Sequence, residues 1–190
     1  MNSPELAALR RDFVAFREEA IWLQTCFNNF NALFCSGPET DALLQRSAGA
    51  FFQDLNRCLI ECWVSAVCRL TDPPVSNGHT NLSCQYLARE LSKLGLGDAA
   101  INDLANSLVE YRRFVEDARN KFISHYDRVS VTRGNVLGEH HKSKLDQFVA
   151  DLQDFNDQVG TAVGEGPLDY AVTSGKGDVL DLLSVLRGAA

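Results

Sequence analysis

An all-α fold is what this sequence predicts: four long antiparallel helices, a short helix and a C-terminal helix. Three observations carry that expectation. Apolar residues recur in a 4-3 alternation over long stretches, the spacing that aligns one face of a helix. Glycine and proline cluster between those stretches, where a chain turns. The 190 residues, 45% apolar and 23% charged, suffice for one self-contained core.

The first helix runs from Leu6 through Leu9, Phe13, Phe16, Ala20, Leu23, Phe27 and Phe30 to Phe34. Ser3 before Pro4 is its N-cap, with proline in the first turn, and Gly37-Pro38 ends it. A second helix, capped by Thr40 or Asp41, carries Phe52, Leu55, Leu59, Trp63, Ala66 and Leu70 on one side and stops at Asp72-Pro73-Pro74. Residues 75–80, VSNGHT, are a loop. Ser83–Leu94 is a shorter helix ended by Gly95 and Gly97. Asp98 caps a long helix packed through Leu104, Leu108, Tyr111, Val115, Ala118 and Phe122. Residues 129–138 are a loop with room for a short extended piece. A further helix spans about 139–162, with Leu145, Phe148, Leu152, Phe155, Val159 and Ala162 as its seam. Gly164–Pro167 breaks the chain, and a terminal, peripheral helix covers about 177–187. The domain reading is a bundle over 1–163 and a tail over 164–190.

The net charge of −7 argues against broad, sequence-blind nucleic-acid binding, which draws most of its affinity from a basic face. Charge is uneven, however. Residues 112–128 hold Arg112, Arg113, Arg119, Lys121 and Arg128, whereas residues 145–190 hold eight acids against Lys176 and Arg187. No apolar run approaches bilayer-spanning length, and the start MNSPELAALRRDF has no signal-peptide core. The expectation is a cytoplasmic protein with no membrane contact. The six cysteines contain no C-x-x-C pair, and they read as small core hydrophobes rather than metal ligands. No metal or cofactor is expected. SGKGD at 174–178 lacks the upstream glycine and the hydroxyl residue of a P-loop and reads as a turn and cap. His140-His141 reads as a surface pair, and His79 lies in a polar loop.

The stretch ARNKFISHYDR, residues 118–128, concentrates the remaining chemistry. On an unbroken α-helix His125 falls at one edge of the apolar seam. Arg119 falls at the other edge, roughly 120° away and about 9 Å along the axis. Asn120, Ser124 and Asp127 turn toward solvent. Spacing alone favours a structural role, with the Arg paired to an acid such as Glu116 and the His bonded to backbone. One straight helix does not bring both groups to one small ligand, but two copies crossing at this seam would.

Arg119-Asn120-Lys121-Phe122-Ile123-Ser124-His125 resembles the R-[N/D/H]-x4-H signature of the HEPN superfamily. Arg69-Leu70-Thr71-Asp72-Pro73 followed by Asn81-Leu82-Ser83 resembles its abortive-infection AbiU-type branch. The resemblance covers roughly residues 5–160. It implies a HEPN-type bundle and a metal-independent endoribonuclease that acts as a homodimer in phage defence or as a toxin. His125 would move protons, Arg119 would hold the phosphate and Asn120 would position one of them. Lys121, Tyr126, Arg128 and Arg112 would contact the substrate, an RNA with transfer RNA as one candidate. Some HEPN toxins are silenced by modification of a Tyr two residues after the His; here that position is Asp127, and Tyr126 comes one residue earlier. The other reading is a noncatalytic HEPN-type module that binds a nucleotide or an antitoxin or defence partner protein.

Overall fold

The computed structural model describes residues 3–125, 127–133, 142–170 and 175–189. It is an all-α bundle: α1 (Pro4–Phe34), α2 (Pro38–Thr71), α3 (Cys84–Lys93), α4 (Ala99–Arg112), α5 (Glu116–Ala118), a π-helical turn (Arg119–Ile123), α6 (Arg128–Arg133), α7 (Lys142–Val163) and α8 (Val179–Ala189). Two-residue strands β1 (Val75–Ser76) and β2 (His79–Thr80) pair antiparallel between α2 and α3.

Helix α1 begins as its sequence dictates. The Ser3 hydroxyl accepts the Leu6 N–H at 3.2 Å, with Pro4 in the first turn. Leu9, Phe13, Phe16, Ala20 and Leu23 form its buried stripe. Opposite it, α7 buries Leu145, Phe148, Leu152, Phe155 and Val159. Phe16 and Phe155 meet edge to face with centroids 5.6 Å apart, and Tyr111 of α4 lies 4.7 Å from Phe148. These rings join α1, α4 and α7 around one core, with Val67 and Leu70 of α2 closing it. Gly160 lets α7 come close: a Cβ there would lie 3.1 Å from the Phe13 Cζ and 3.2 Å from the Gly166 Cα. Any larger residue would have to push the ring or the following chain aside.

Helix α2 starts one turn earlier than expected. Pro38 takes the first helical position with Gly37 as cap, and Thr40 and Asp41 lie inside the first turn, because a proline ring already has the helical φ. The helix kinks at Ala48 (φ −161°, ψ 61°). Residues on both sides of the kink, Leu43, Leu44 and Phe52, form a second, smaller core with Leu33 of α1 and Leu183 of α8. The C-terminal helix is therefore docked rather than peripheral. Leu183→Asp is expected to release it. Limited proteolysis would then cut within 164–178 while the larger fragment stays resistant; an unchanged digestion pattern would mean that α8 is held by other contacts.

Two expected loops contain structure. VSNGHT is a minimal hairpin whose turn residues Asn77 (φ 50°) and Gly78 (φ 80°) are both left-handed, the conformation that Asn-Gly supplies in a two-residue hairpin. Residues 128–133 form α6, not an extended piece, because the Asp127 carboxylate accepts the Ser130 N–H at 2.8 Å and caps it. Residues 134–141, including His140-His141, lie outside the described residues, as does the start of the helix expected from 139. The cysteines also divide. Cys26, Cys68 and Cys84 are buried, but Cys35, Cys58 and Cys62 are exposed. The inward side of α2 is carried by Leu59, Trp63 and Ala66, which turns Cys58 and Cys62 outward. No helix among the described residues is long and apolar enough to cross a membrane.

Candidate active site at a π turn

The motif does not ride on one straight helix. Asp98 caps α4 as expected, accepting the Ile101 N–H at 2.9 Å, but α4 ends at Arg112. The Phe114 N–H then reaches back to the Tyr111 carbonyl and the Val115 N–H to Arg112, at 3.1 and 2.9 Å, tight bonds three residues apart. After three residues of α5 the chain widens: the Ser124 N–H donates to the Arg119 carbonyl at 2.8 Å, five residues back. Such a π turn carries one residue more than an α turn and often marks a functional site.

That extra residue shifts the seam by one position. Val115 is buried as expected. Phe122, expected in the seam, is 37% exposed, and Ile123 packs against the main core in its place. His125, expected at the seam edge, is exposed instead. The shift has a direct test. Ile123→Ala is expected to lower stability by about 1–2 kcal/mol and Phe122→Ala by less; denaturant unfolding giving the reverse order would place the seam back at 122.

The structure brings some of the expected site residues together and separates others. The Arg119 Nη1 donates to the Asn120 Oδ1 at 2.8 Å, so the two motif neighbours form one unit, with Asn120 exposed and Arg119 half-buried. Lys121 is paired with Asp117 at 2.7 Å. Arg128 is exposed at the start of α6. Tyr126 lies outside the described residues. Burial pushes the Cys68 thiol of α2 up, a shift that the charges of Arg112 and Arg119 only partly oppose.

Arg112 is committed elsewhere. It is paired with Asp72 at 2.7 Å and with Glu116 at 3.2 Å, and it donates to the Thr71 carbonyl at 3.1 Å. Only 15% of its side chain is exposed. It ties the end of α2 to the segment just before the π turn. Glu116 thus serves Arg112 rather than Arg119. Arg112→Ala would leave Asp72 and the Thr71 carbonyl without this donor, and is expected to cost about 1–3 kcal/mol. A melting temperature unchanged from the parent would show that the clasp carries no weight.

The second motif is architectural. Arg69 pairs with Glu19 of α1. The Asn81 side chain donates to the Pro73 carbonyl at 2.7 Å and to the Ser76 hydroxyl at 3.1 Å, closing the hairpin. Ser83 caps α3 by accepting the Tyr86 N–H. Residues 175–178 likewise form a turn and cap, with the Asp178 carboxylate accepting the Leu180 N–H at 2.8 Å; Ser174 lies outside the described residues. No group of three or more His, Cys, Asp or Glu among the described residues could hold a metal ion.

The family model of AbiU2, a HEPN family, matches residues 6–182 and so spans both motifs and the π turn. The chain belongs to the AbiU2 family of HEPN proteins. None of the curated proteins and none of the solved structures matches it. Membership makes it a HEPN-type module of the abortive-infection kind. It also gives the 119–125 segment a meaning that helix packing did not. In this AbiU2 chain Arg119, Asn120 and His125 lie within the matched span, and the π turn takes Phe122 and His125 off the packed seam. Sequence reasoning missed Asp72 and Glu116 as the partners of Arg112. It also missed the α2 residues facing the turn, which lie some sixty positions upstream and share no pattern with it.

Proposed function

We infer that this AbiU2-family protein is a metal-independent endoribonuclease of phage defence or toxin type, working as a homodimer with a composite site. The observation that carries the reading is the Arg119–Asn120 hydrogen bond beside an outward-turned His125. A guanidinium held by its neighbour and an exposed imidazole are the kinds of group that cleavage of RNA without metal requires.

The chemistry balances with those groups alone. The ribose 2′-hydroxyl attacks the adjacent phosphorus and gives its proton to a base. The bond to the 5′-oxygen breaks, and that oxygen takes a proton from an acid. The products carry a 2′,3′-cyclic phosphate and a 5′-hydroxyl. An imidazole serves as base or acid near neutral pH. A guanidinium stays charged and presents fixed donors to phosphate oxygens. One copy supplies one His; two copies supply a base and an acid. Asn120 fixes the Arg119 fork, Arg128 and Tyr126 extend the substrate contact, and Lys121 acts through its field, shared with Asp117. The acidic body favours a narrow target, such as one structured RNA, over general degradation.

The test is incubation of total and transfer RNA with the purified protein in excess EDTA. The expected result is discrete cleavage with cyclic-phosphate ends from a protein that sediments as a dimer. A folded monomer at micromolar concentration would remove the composite site. Cleavage only on adding a divalent ion would remove the metal-free mechanism.

One observation favours a second reading, a noncatalytic module that captures an antitoxin or defence partner. Arg112 and Lys121, two of the local bases, are already neutralised by acids of the same chain, which weakens RNA attraction. That reading predicts partner capture that survives loss of His125.

A further inference from the structure

Two cysteines stand where a thiol is rarely left. Free cysteine is among the most buried of residue types, and Cys26, Cys68 and Cys84 follow that rule. Cys58 and Cys62 do not: both are exposed, and neither is in a disulfide. They lie one turn apart on α2, in a regular part of the helix, since the non-helical residue of α2 is Ala48. A regular helix fixes the spacing of such a pair. Residues four apart share one face, with Cβ atoms about 5–6 Å apart. A disulfide asks for roughly 3.5–4.5 Å between Cβ atoms, so the helix holds these thiols too far apart to bridge each other. With an ion between them the spacing fits. Two sulfurs in line on one ion lie about 4.6 Å apart, twice a metal–sulfur bond of roughly 2.3 Å. Side chains rising from Cβ atoms about 5–6 Å apart reach that span by leaning slightly together.

The number of ligands selects the ion. Among the described residues no group of three or more His, Cys, Asp or Glu could hold a metal, so Cys58 and Cys62 stand as a pair. Cys26 of α1 does not join them. Burial pushes its thiol up to about 11, with the charge of Cys62 adding to the rise, and it keeps its proton at neutral pH. Zinc asks for four ligands, or three and a water. Soft thiolates also select Cu(I), a filled-shell ion that is satisfied by two. We propose that Cys58 and Cys62 form a two-thiolate clamp for a cuprous ion on the outer face of α2. On binding, the two thiols release their protons, two sulfur–copper bonds form, and the copper stays monovalent. The clamp stands apart from the ribonuclease reading. It lies about 100° round the helix from Arg57 and Glu61, which line the groove against the π turn, and it takes no residue of the motif.

The experiment is an anaerobic titration of the full-length, reduced protein with Cu(I) presented by the coloured chelator bicinchoninate. The expected result is withdrawal of one copper per chain, with two sulfur neighbours in X-ray absorption. Cys58→Ser and Cys62→Ser should each lose more than about 100-fold in affinity, beyond what losing a group that merely supports a ligand costs. Both positions are exposed, so circular dichroism should show the parental fold in each. Cys35→Ser, which removes the exposed thiol at the end of α1, should bind as the parent does. Thiol counting adds a second readout: copper should mask Cys58 and Cys62 and leave Cys35 reactive. Zn²⁺ offered in place of Cu(I) should be lost on gel filtration. No copper withdrawn from the chelator, uptake unchanged in both serine variants, or three or more sulfurs around the ion would overturn the clamp. Half a copper per chain would overturn it too, since two copies would then share one ion.

Discussion

RNA cleavage is expected to fall by about 10²- to 10⁴-fold in His125→Ala and by roughly 10²- to 10³-fold in Arg119→Ala, with the melting temperature of each close to that of the parent. The first range is what a positioned proton-transfer group contributes; the second is what one fixed donor to developing phosphate charge contributes. Stability should hold because His125 is exposed and the Arg119 side-chain bond that positions it runs to its own neighbour Asn120. Among the described residues, neither belongs to the buried core. Asn120→Ala should lose less than either, since it acts by holding the guanidinium and a freed arginine still reaches phosphate. Mixing the two inactive variants adds a sharper readout. In a composite site that takes its base and its acid from different copies, heterodimers of Arg119→Ala with His125→Ala hold a single His125 and stay inactive, whereas independent sites within each protomer would leave the two variants' residual rates simply additive. Cleavage at the parental rate by both single variants would move the chemistry elsewhere on the surface.

Phe155→Ala is expected to cost about 3–5 kcal/mol. Its side chain is fully buried, its ring meets Phe16 across α1 and α7, and it belongs to the same buried cluster as Phe13 and Phe148. Relaxation into the vacated space is limited, because α7 is already drawn close to Phe13 at Gly160. For a domain with about 5–15 kcal/mol in hand, that loss brings unfolding near ambient temperature. Urea denaturation checks it. A cost below about 1.5 kcal/mol would mean that the α1–α7 contact collapses around the gap and is looser than its geometry suggests. The pairing with His125→Ala is informative. One variant should keep its fold and lose cleavage, and the other should lose both together.

The sequence was most legible where burial decides. The stripes Leu9–Phe13–Phe16–Ala20–Leu23 on α1 and Leu145–Phe148–Leu152–Phe155–Val159 on α7 are the core, since a 4-3 alternation has only one way to hide itself. Caps with a hydroxyl or carboxylate at the right step were legible too, at Ser3 and Asp98. The candidate site was legible as a list of residues but not as a shape. A helical wheel assumes a constant turn, and nothing in RNKFI announces a five-residue hydrogen bond; the wheel therefore carried Phe122 inward and His125 to the seam edge, one step from where they lie. The Arg112 clasp was hidden for another reason. Its partners Asp72 and Thr71 lie some forty residues away, and pairings between distant helix ends leave no local pattern.

The widened turn at 119–123 also bears on how this chain can change. A helix that takes in one additional residue by opening a single turn leaves everything upstream and downstream facing its old partners: Val115 and Ile123 both still reach the core. The length of this segment is thus uncoupled from the packing of the bundle. A residue gained or lost within it alters which side chains are presented to the outside without asking α1 or α7 to refit. That makes it a cheap place to vary: the exposed surface can be re-dealt by single insertions and deletions while the scaffold stays as it is.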